Sequence, residues 1–158
     1  MPSVYNSDDA HVVSVAVPSC SIRSTNASSV ADATDTYLSL GSGATVEWDT
    51  DSMWNPATPD RVTIKTAGIY ALDATIAWSA NTTGYRDIGI SVNGILASRV
   101  GIPNPGSVVA KTHASCMCKL APGDYVQIYC YQNSGAALSL YPNSYSPRLA
   151  ATWLRDTP

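Results

Sequence analysis

From residue 36 onward, apolar side chains recur at every second position. The cleanest run is Ser107–Leu120. Val108, Ala110, Thr112, Ala114, Cys116, Cys118 and Leu120 share one face, while Val109, Lys111, His113, Ser115, Met117 and Lys119 share the other. A period of two belongs to an extended strand with one buried face and excludes an amphipathic helix. Tyr70, Leu72, Ala74, Ile76 and Trp78 repeat the pattern, as do Ile88, Ile90 and Val92. The latter run meets Asn93-Gly94, where both residues accept the positive φ of a tight hairpin, so a return strand is expected from Ile95 to Gly101. Val126, Ile128 and Cys130 alternate with Tyr125, Gln127, Tyr129 and Tyr131. Shorter alternations occur at Leu38/Leu40, Val46/Trp48, Val62/Ile64, Leu138/Leu140 and Leu149/Ala151/Trp153. Eight to ten short strands divided by Gly, Pro and Asn turns predict an all-β chain, an antiparallel β-sandwich or jelly roll.

Composition narrows the function classes. The 158 residues fit one domain plus a short arm. Nine basic against 12 acidic residues, a net charge of −3 and a pI near 5.1 argue against nucleic-acid binding by phosphate neutralisation. No apolar run is long enough to span a membrane as a helix. Met1–Ala10 carries Asp8 and Asp9 where an export signal would be basic and then apolar, so none is expected. Few charges, 13% of residues, combined with many small polar residues could suggest disorder, but Val, Ile, Thr, Tyr and Trp are too abundant for a disordered chain. The first 35 residues are rich in Ser, Ala, Thr and Asp. Val13, Val15 and Val17 alternate up to Pro18, and 26–36 holds almost no large apolar residue. The expected division is an extended N-terminal arm over 1–35 and a folded body over 36–158. Residues 1–60 carry eight acids and one base, so an acidic arm would face a surface different from the body.

Three segments resemble the globular heads of complement's first component and the tumour-necrosis-factor superfamily. They are Val62–Leu72 with Gly68-Ile69-Tyr70, Leu120–Ile128 with Gly123-Asp124, and the closing Ser146–Leu154. The resemblance covers roughly residues 40–155 and implies a jelly roll of about ten strands that forms a homotrimer. The chain departs from the family in having no Phe, with nine Tyr instead, and in an Ala-rich last strand. Bacteriophages use trimeric jelly rolls of this type on heads and tails. The resemblance therefore implies a structural virion protein of a tailed phage, made in the host cytoplasm and placed on the capsid surface. It would be a homotrimeric decoration protein anchored to the major capsid protein by the arm at Val13, Val15 and Val17. The alternative is a receptor- or glycan-binding module at a tail or fibre tip, with Trp54, Tyr85, Tyr141 and Tyr145 on loops facing a host-surface glycan.

Tyr125, Gln127, Tyr129 and Tyr131 are the expected trimer interface. Their strand is already apolar on its other face, the corresponding strand of the resembled family lines the trimer axis, and Tyr buries area while keeping a polar handle. Cys20, Cys116, Cys118 and Cys130 read as free thiols, with a Cys118–Cys130 bridge the lesser alternative. Cys-x-Cys without a second ligand pair is not a zinc site. Asp49, Asp51 and Asp60 share a loop but lack the spacing of a Ca²⁺ loop. His11 and His113 sit in no nucleophile–base pattern, and Gly41-x-Gly43 precedes a strand and not a helix. No enzyme activity, metal or cofactor is expected. Asn26-Ala27-Ser28 and Asn81-Thr82-Thr83 match glycosylation acceptors, which carry weight only in a secreted chain.

Overall fold

The computed structural model describes residues 16–24, 28–103, 106–141 and 147–157, together with the backbone of two short strands at 3–5 and 12–14. The strands in chain order are β1 (Ser3–Tyr5), β2 (Val12–Ser14), β3 (Ser19–Arg23), β4 (Ser29–Val30), β5 (Thr36–Tyr37), β6 (Thr45–Asp49) and β7 (Val62–Thr63). They continue with β8 (Gly68–Trp78), β9 (Tyr85–Val92), β10 (Ile95–Pro103), β11 (Ala110–Leu120), β12 (Tyr125–Gln132), β13 (Leu138–Ser139) and β14 (Arg148–Arg155). Among the described residues there is no helix.

Two five-stranded antiparallel sheets form the body. The first runs β10-β9-β12-β5, with β7 also pairing β12; the second runs β11-β8-β14-β3-β6. Two small pairs lie outside them, β1 with β2 and β4 with β13. β9 and β10 are joined by the expected Asn93-Gly94 turn, with φ of 53° and 80°. β10 runs two residues beyond the expected end, to Pro103.

The core is the set of inward faces read from the alternation. Tyr70, Leu72, Ala74, Ile76 and Trp78 of β8 are all buried, facing Ile88 and Ile90 of β9 and Val126, Ile128 and Cys130 of β12. Each large apolar side chain so buried contributes about 1.5–3 kcal/mol. Several polar groups carried inward are paired, whereas the buried Arg86 on β9 bonds only through Nη1, to the Tyr85 carbonyl, and its Nε and Nη2 have no hydrogen-bond partner among the described residues. Trp78 Nε1 donates to Thr112 Oγ1 at 3.1 Å and the Tyr70 hydroxyl donates to the Thr66 carbonyl at 2.7 Å. Buried Gln132 donates to the carbonyls of Val30 and Ala136 and accepts from the backbone and hydroxyl of Ser134. Gly68 is required by a close approach: a Cβ there would overlap the Trp153 indole and the Arg155 carbonyl.

The boundary expected at residue 35 does not match the sheet order. β3 lies inside the second sheet between β14 and β6, and its Cys20 and Ile22 belong to the core. Val30 and Leu38 are buried as well. The β1–β2 pair, like β4–β13, hydrogen-bonds to neither five-stranded sheet. Residues 19–24 and 28–35 therefore belong with the body. β3 is hidden in the sequence because its outward residues, Ser19, Ser21 and Arg23, are polar and only Ile22 is large. The second sheet accepts them because Ser21 Oγ and Arg23 Nε both meet the Glu47 carboxylate, at 2.7 and 3.4 Å. Leu38 and Leu40 are buried from an irregular segment and not from the expected strand.

Two truncations separate these readings. Removing residues 2–17 should leave the midpoint of thermal unfolding of the body within a few degrees of the full chain. Removing 2–35 strips Cys20, Ile22 and Val30 from the core, at about 2–5 kcal/mol for a residue such as Ile22 alone, and should abolish cooperative unfolding by circular dichroism.

Candidate functional site

The outer face of the first sheet carries the tyrosine stripe. Tyr129 is only 3% exposed and Gln127 only 6%, both covered by their own chain. The Tyr129 hydroxyl donates to Asp35 Oδ1 at 2.6 Å, its ring meets Tyr37 edge-on at 6.2 Å, and the Arg99 guanidinium lies 5.5 Å from its centroid. Arg99 in turn pairs with the buried carboxylate of Asp87. Gln127 donates to Asp60 Oδ2 at 2.6 Å; Asp60 is paired with Arg61, whose guanidinium stacks 4.5 Å from the Tyr125 centroid. Tyr125 and Tyr131 are half-buried. Of the four residues expected at an interface, Gln127 and Tyr129 are covered by their own chain, and Tyr125 and Tyr131 keep part of their surface open. Arg99 on β10 and the loop residues Asp35, Asp60 and Arg61 supply the cover over Tyr129, Gln127 and Tyr125.

The electrostatics follow from this packing. Burial, and then the hydrogen bond to Asp35, push the Tyr129 phenol well above its usual range. The hydrogen bond from Arg61 holds the Asp60 carboxyl below its ordinary 3.8 against a smaller desolvation cost. The Ala121 N–H, then the Asn93 amide, lower Asp124 likewise. The Tyr85 phenol is pushed up first by the Asp87 charge.

The four loop aromatics do not form one surface. Trp54 is half-buried against the core and bridges Val62, which faces Val126 on β12. Tyr85 opens β9 next to Arg86, which faces Gln132, six residues further along β12 or about 20 Å. Tyr141 is exposed and lies with Tyr85 toward that second end, its N–H donated to the Ala77 carbonyl at the close of β8. Tyr145 lies outside the described residues. Val13 falls within β2, whose backbone alone is described; Val15 lies outside the described residues. Val17 is half-buried, and its carbonyl accepts from Thr50 Oγ1 at 2.6 Å.

The Asp49 carboxylate accepts the N–H groups of Asp51, Met53 and Trp54, fixing the turn that leaves β6. Among the described residues no three His, Cys, Asp or Glu side chains converge as a metal site. Cys20 and Cys130 are buried, and burial pushes both thiols up to about 12. Cys116 and Cys118 are half-buried with their sulfurs 3.7 Å apart.

Two features go beyond what sequence reasoning found. Across the outer face of the second sheet, His113 on β11 pairs with Asp73 on β8. Arg148 on β14 lies 3.9 Å from both Asp73 and Glu47, and Glu47 on β6 meets Arg23 on β3. This charge row links all five strands. In the sequence it shows only as single charges in separate segments, since their register is set by the fold. The second feature is apolar surface on opposite edges. On β10, the end strand of the first sheet, Ile95 is 75% exposed, with Leu96 and Val100 also exposed. β10 stacks beside β11, the end strand of the second sheet. At the other end of the second sheet β6 exposes Val46 and Trp48, each 46%.

No family model and no curated protein matches the sequence. Solved structures do match in shape. Murine APRIL at pH 5.0 superposes with a TM-score of 0.65 at 15% identity, over 88% of this chain and all of that one. Murine APRIL at pH 8.0 gives 0.64 at 19%, over 87% and 98%. The Eiger TNF of S. frugiperda gives 0.65 at 11%, over 90% and 95%. The fold is therefore a jelly roll of the tumour-necrosis-factor type.

Two substitutions check the tyrosine network. Tyr129→Phe removes a charge-assisted hydrogen bond and should cost about 1–3 kcal/mol in urea unfolding while leaving the association state unchanged. Asp60→Asn should be less stable than wild type at pH 7. A lowered folded-state pKa stabilises above the unfolded value and is lost as pH falls through the folded one. The gap should therefore close below about pH 4, read from unfolding midpoints across a pH series.

Proposed function

We propose that the chain is a non-enzymatic structural module that self-assembles through its two apolar edges into a homotrimer and decorates the capsid of a tailed phage. The observation that carries the assembly is the pair of unlike apolar edges, Ile95, Leu96 and Val100 on β10 and Val46 and Trp48 on β6. Exposed apolar clusters of this kind are a liability unless covered. Two different patches on opposite edges favour head-to-tail contacts, which close into a ring when the rotation permits. Three copies is the number implied by the family resemblance. The β1–β2 hairpin, paired with no body strand, is the tether. Its open edges suit strand addition to the major capsid protein, and three tethers per ring raise the effective concentration of weak contacts. The phage setting rests on the resemblance alone.

A second reading, glycan binding at a tail tip, draws on the exposure of Tyr85 and Tyr141 toward one end of the sandwich. A glycan array probed with the assembled protein distinguishes the two.

Light scattering after size exclusion should give three chains per particle. Val100→Glu and Trp48→Glu are surface changes, so each should fold with near-wild-type stability and run as a monomer. Mixed together, each variant retains one intact edge, and the mixture should reach a dimer and no further. A wild-type monomer at micromolar concentration overturns the assembly, and capsid binding by the 2–17 truncation overturns the tether.

A further inference from the structure

The half-buried thiols of Cys116 and Cys118 pack at the margin of the core with their sulfurs in contact, and the proposed assembly does not use them. Residues i and i+2 of a strand point to the same side, so both sulfurs project from the core-side face of β11, 3.7 Å apart. β11 is an end strand, which leaves this face open at its margin, whereas Cys20 and Cys130 are fully buried inside the sheets.

Geometry selects what such a pair can hold. Two positions along a strand place the Cα atoms about 6.6 Å apart, near the upper limit of about 6.8 Å for a disulfide. A direct bridge would have to bend the strand. Two metal–sulfur bonds of about 2.3 Å at a near-tetrahedral angle span about 3.8 Å, which is the separation already present. We propose that Cys116 and Cys118 form a two-sulfur chelate for a soft, thiophilic centre, either a soft divalent cation or trivalent arsenic. Thiolate ligands favour such centres over hard, oxygen-seeking ions. With a divalent cation, two S–H bonds break, two metal–sulfur bonds form and two protons leave to solvent. With an arsenic(III) oxide, two As–S bonds replace the As=O bond, and the two thiol protons leave with that oxygen as water. Neither reaction needs an oxidant. The site does not depend on the trimer or on the phage setting.

The test uses the full chain, reduced and freed of metal, as wild type and as Val100→Glu so that assembly cannot hide β11. Phenylarsine oxide and Cd²⁺ are titrated separately. Intact-mass spectrometry should show one phenylarsenic per chain, and Cd²⁺ should raise one equivalent of thiolate-to-metal charge-transfer absorption. Cys116→Ser and Cys118→Ser should each abolish both signals, while Cys20→Ala and Cys130→Ala should keep them. Binding of phenylarsine oxide but not Cd²⁺ assigns the site to arsenic, and the reverse to the cation. No binding by either probe in both proteins overturns the chelate, as does binding that survives loss of Cys116 or Cys118.

Discussion

Burial of five alternate side chains on β8, from Tyr70 to Trp78, is the constraint on which the rest of the molecule hangs. β8 pairs along its whole length with β11 on one side and, over Ile69–Thr75, with β14 on the other. Its inward face meets the first sheet across the core. There the Trp78 indole N–H is held by Thr112. Once β8 is set, the register of β14 fixes β3, and β3 fixes β6. The charge row of His113, Asp73, Arg148, Glu47 and Arg23 records that register on the solvent side.

The use of Tyr in place of Phe takes a specific form. On the first sheet the rings of Tyr125 and Tyr129 each meet a guanidinium, and the Tyr129 hydroxyl is bonded to the Asp35 carboxylate. Arg99 serves two neighbours at once, holding Asp87 and shielding Tyr129. Large apolar side chains are exposed on the end strands β10 and β6, and also singly at Met117 on β11 and Leu154 on β14.

Much of this is legible in the sequence. The long strands β8, β9, β11 and β12 follow from strict alternation, because one buried face forces it, and Asn93-Gly94 marks its hairpin through positive φ. The N-terminal boundary is not legible, because Ser19–Arg23 looks like the polar tract before it. Its outward Ser and Arg are satisfied by Glu47, 26 and 24 residues away, a contact that no local pattern reveals. The tyrosine stripe shows in the sequence as a face that must be covered. What covers it, Arg99, Arg61, Asp35 and Asp60, comes from segments distant in sequence. Val46 and Trp48 look like core because they alternate. They are exposed because β6 is an end strand, and strand order is a property of the whole topology.

The placement of β3 between β14 and β6 governs how the chain can acquire its structure. β14 is the last strand of the sandwich to be made, and Ser19–Arg23 pairs with Arg148–Thr152. A nascent chain leaving the ribosome can form the β9–β10 hairpin early, but the second sheet stays open until β14 has emerged. Ile22 and Cys20 wait throughout that interval with half their partners missing. Such dependence on contacts between distant segments makes folding slow and leaves unpaired edges exposed in the meantime. Closure of the sandwich is thus tied to the synthesis of β14, and a chain cut short before that strand leaves the inner edges of β3 and β8 unpaired.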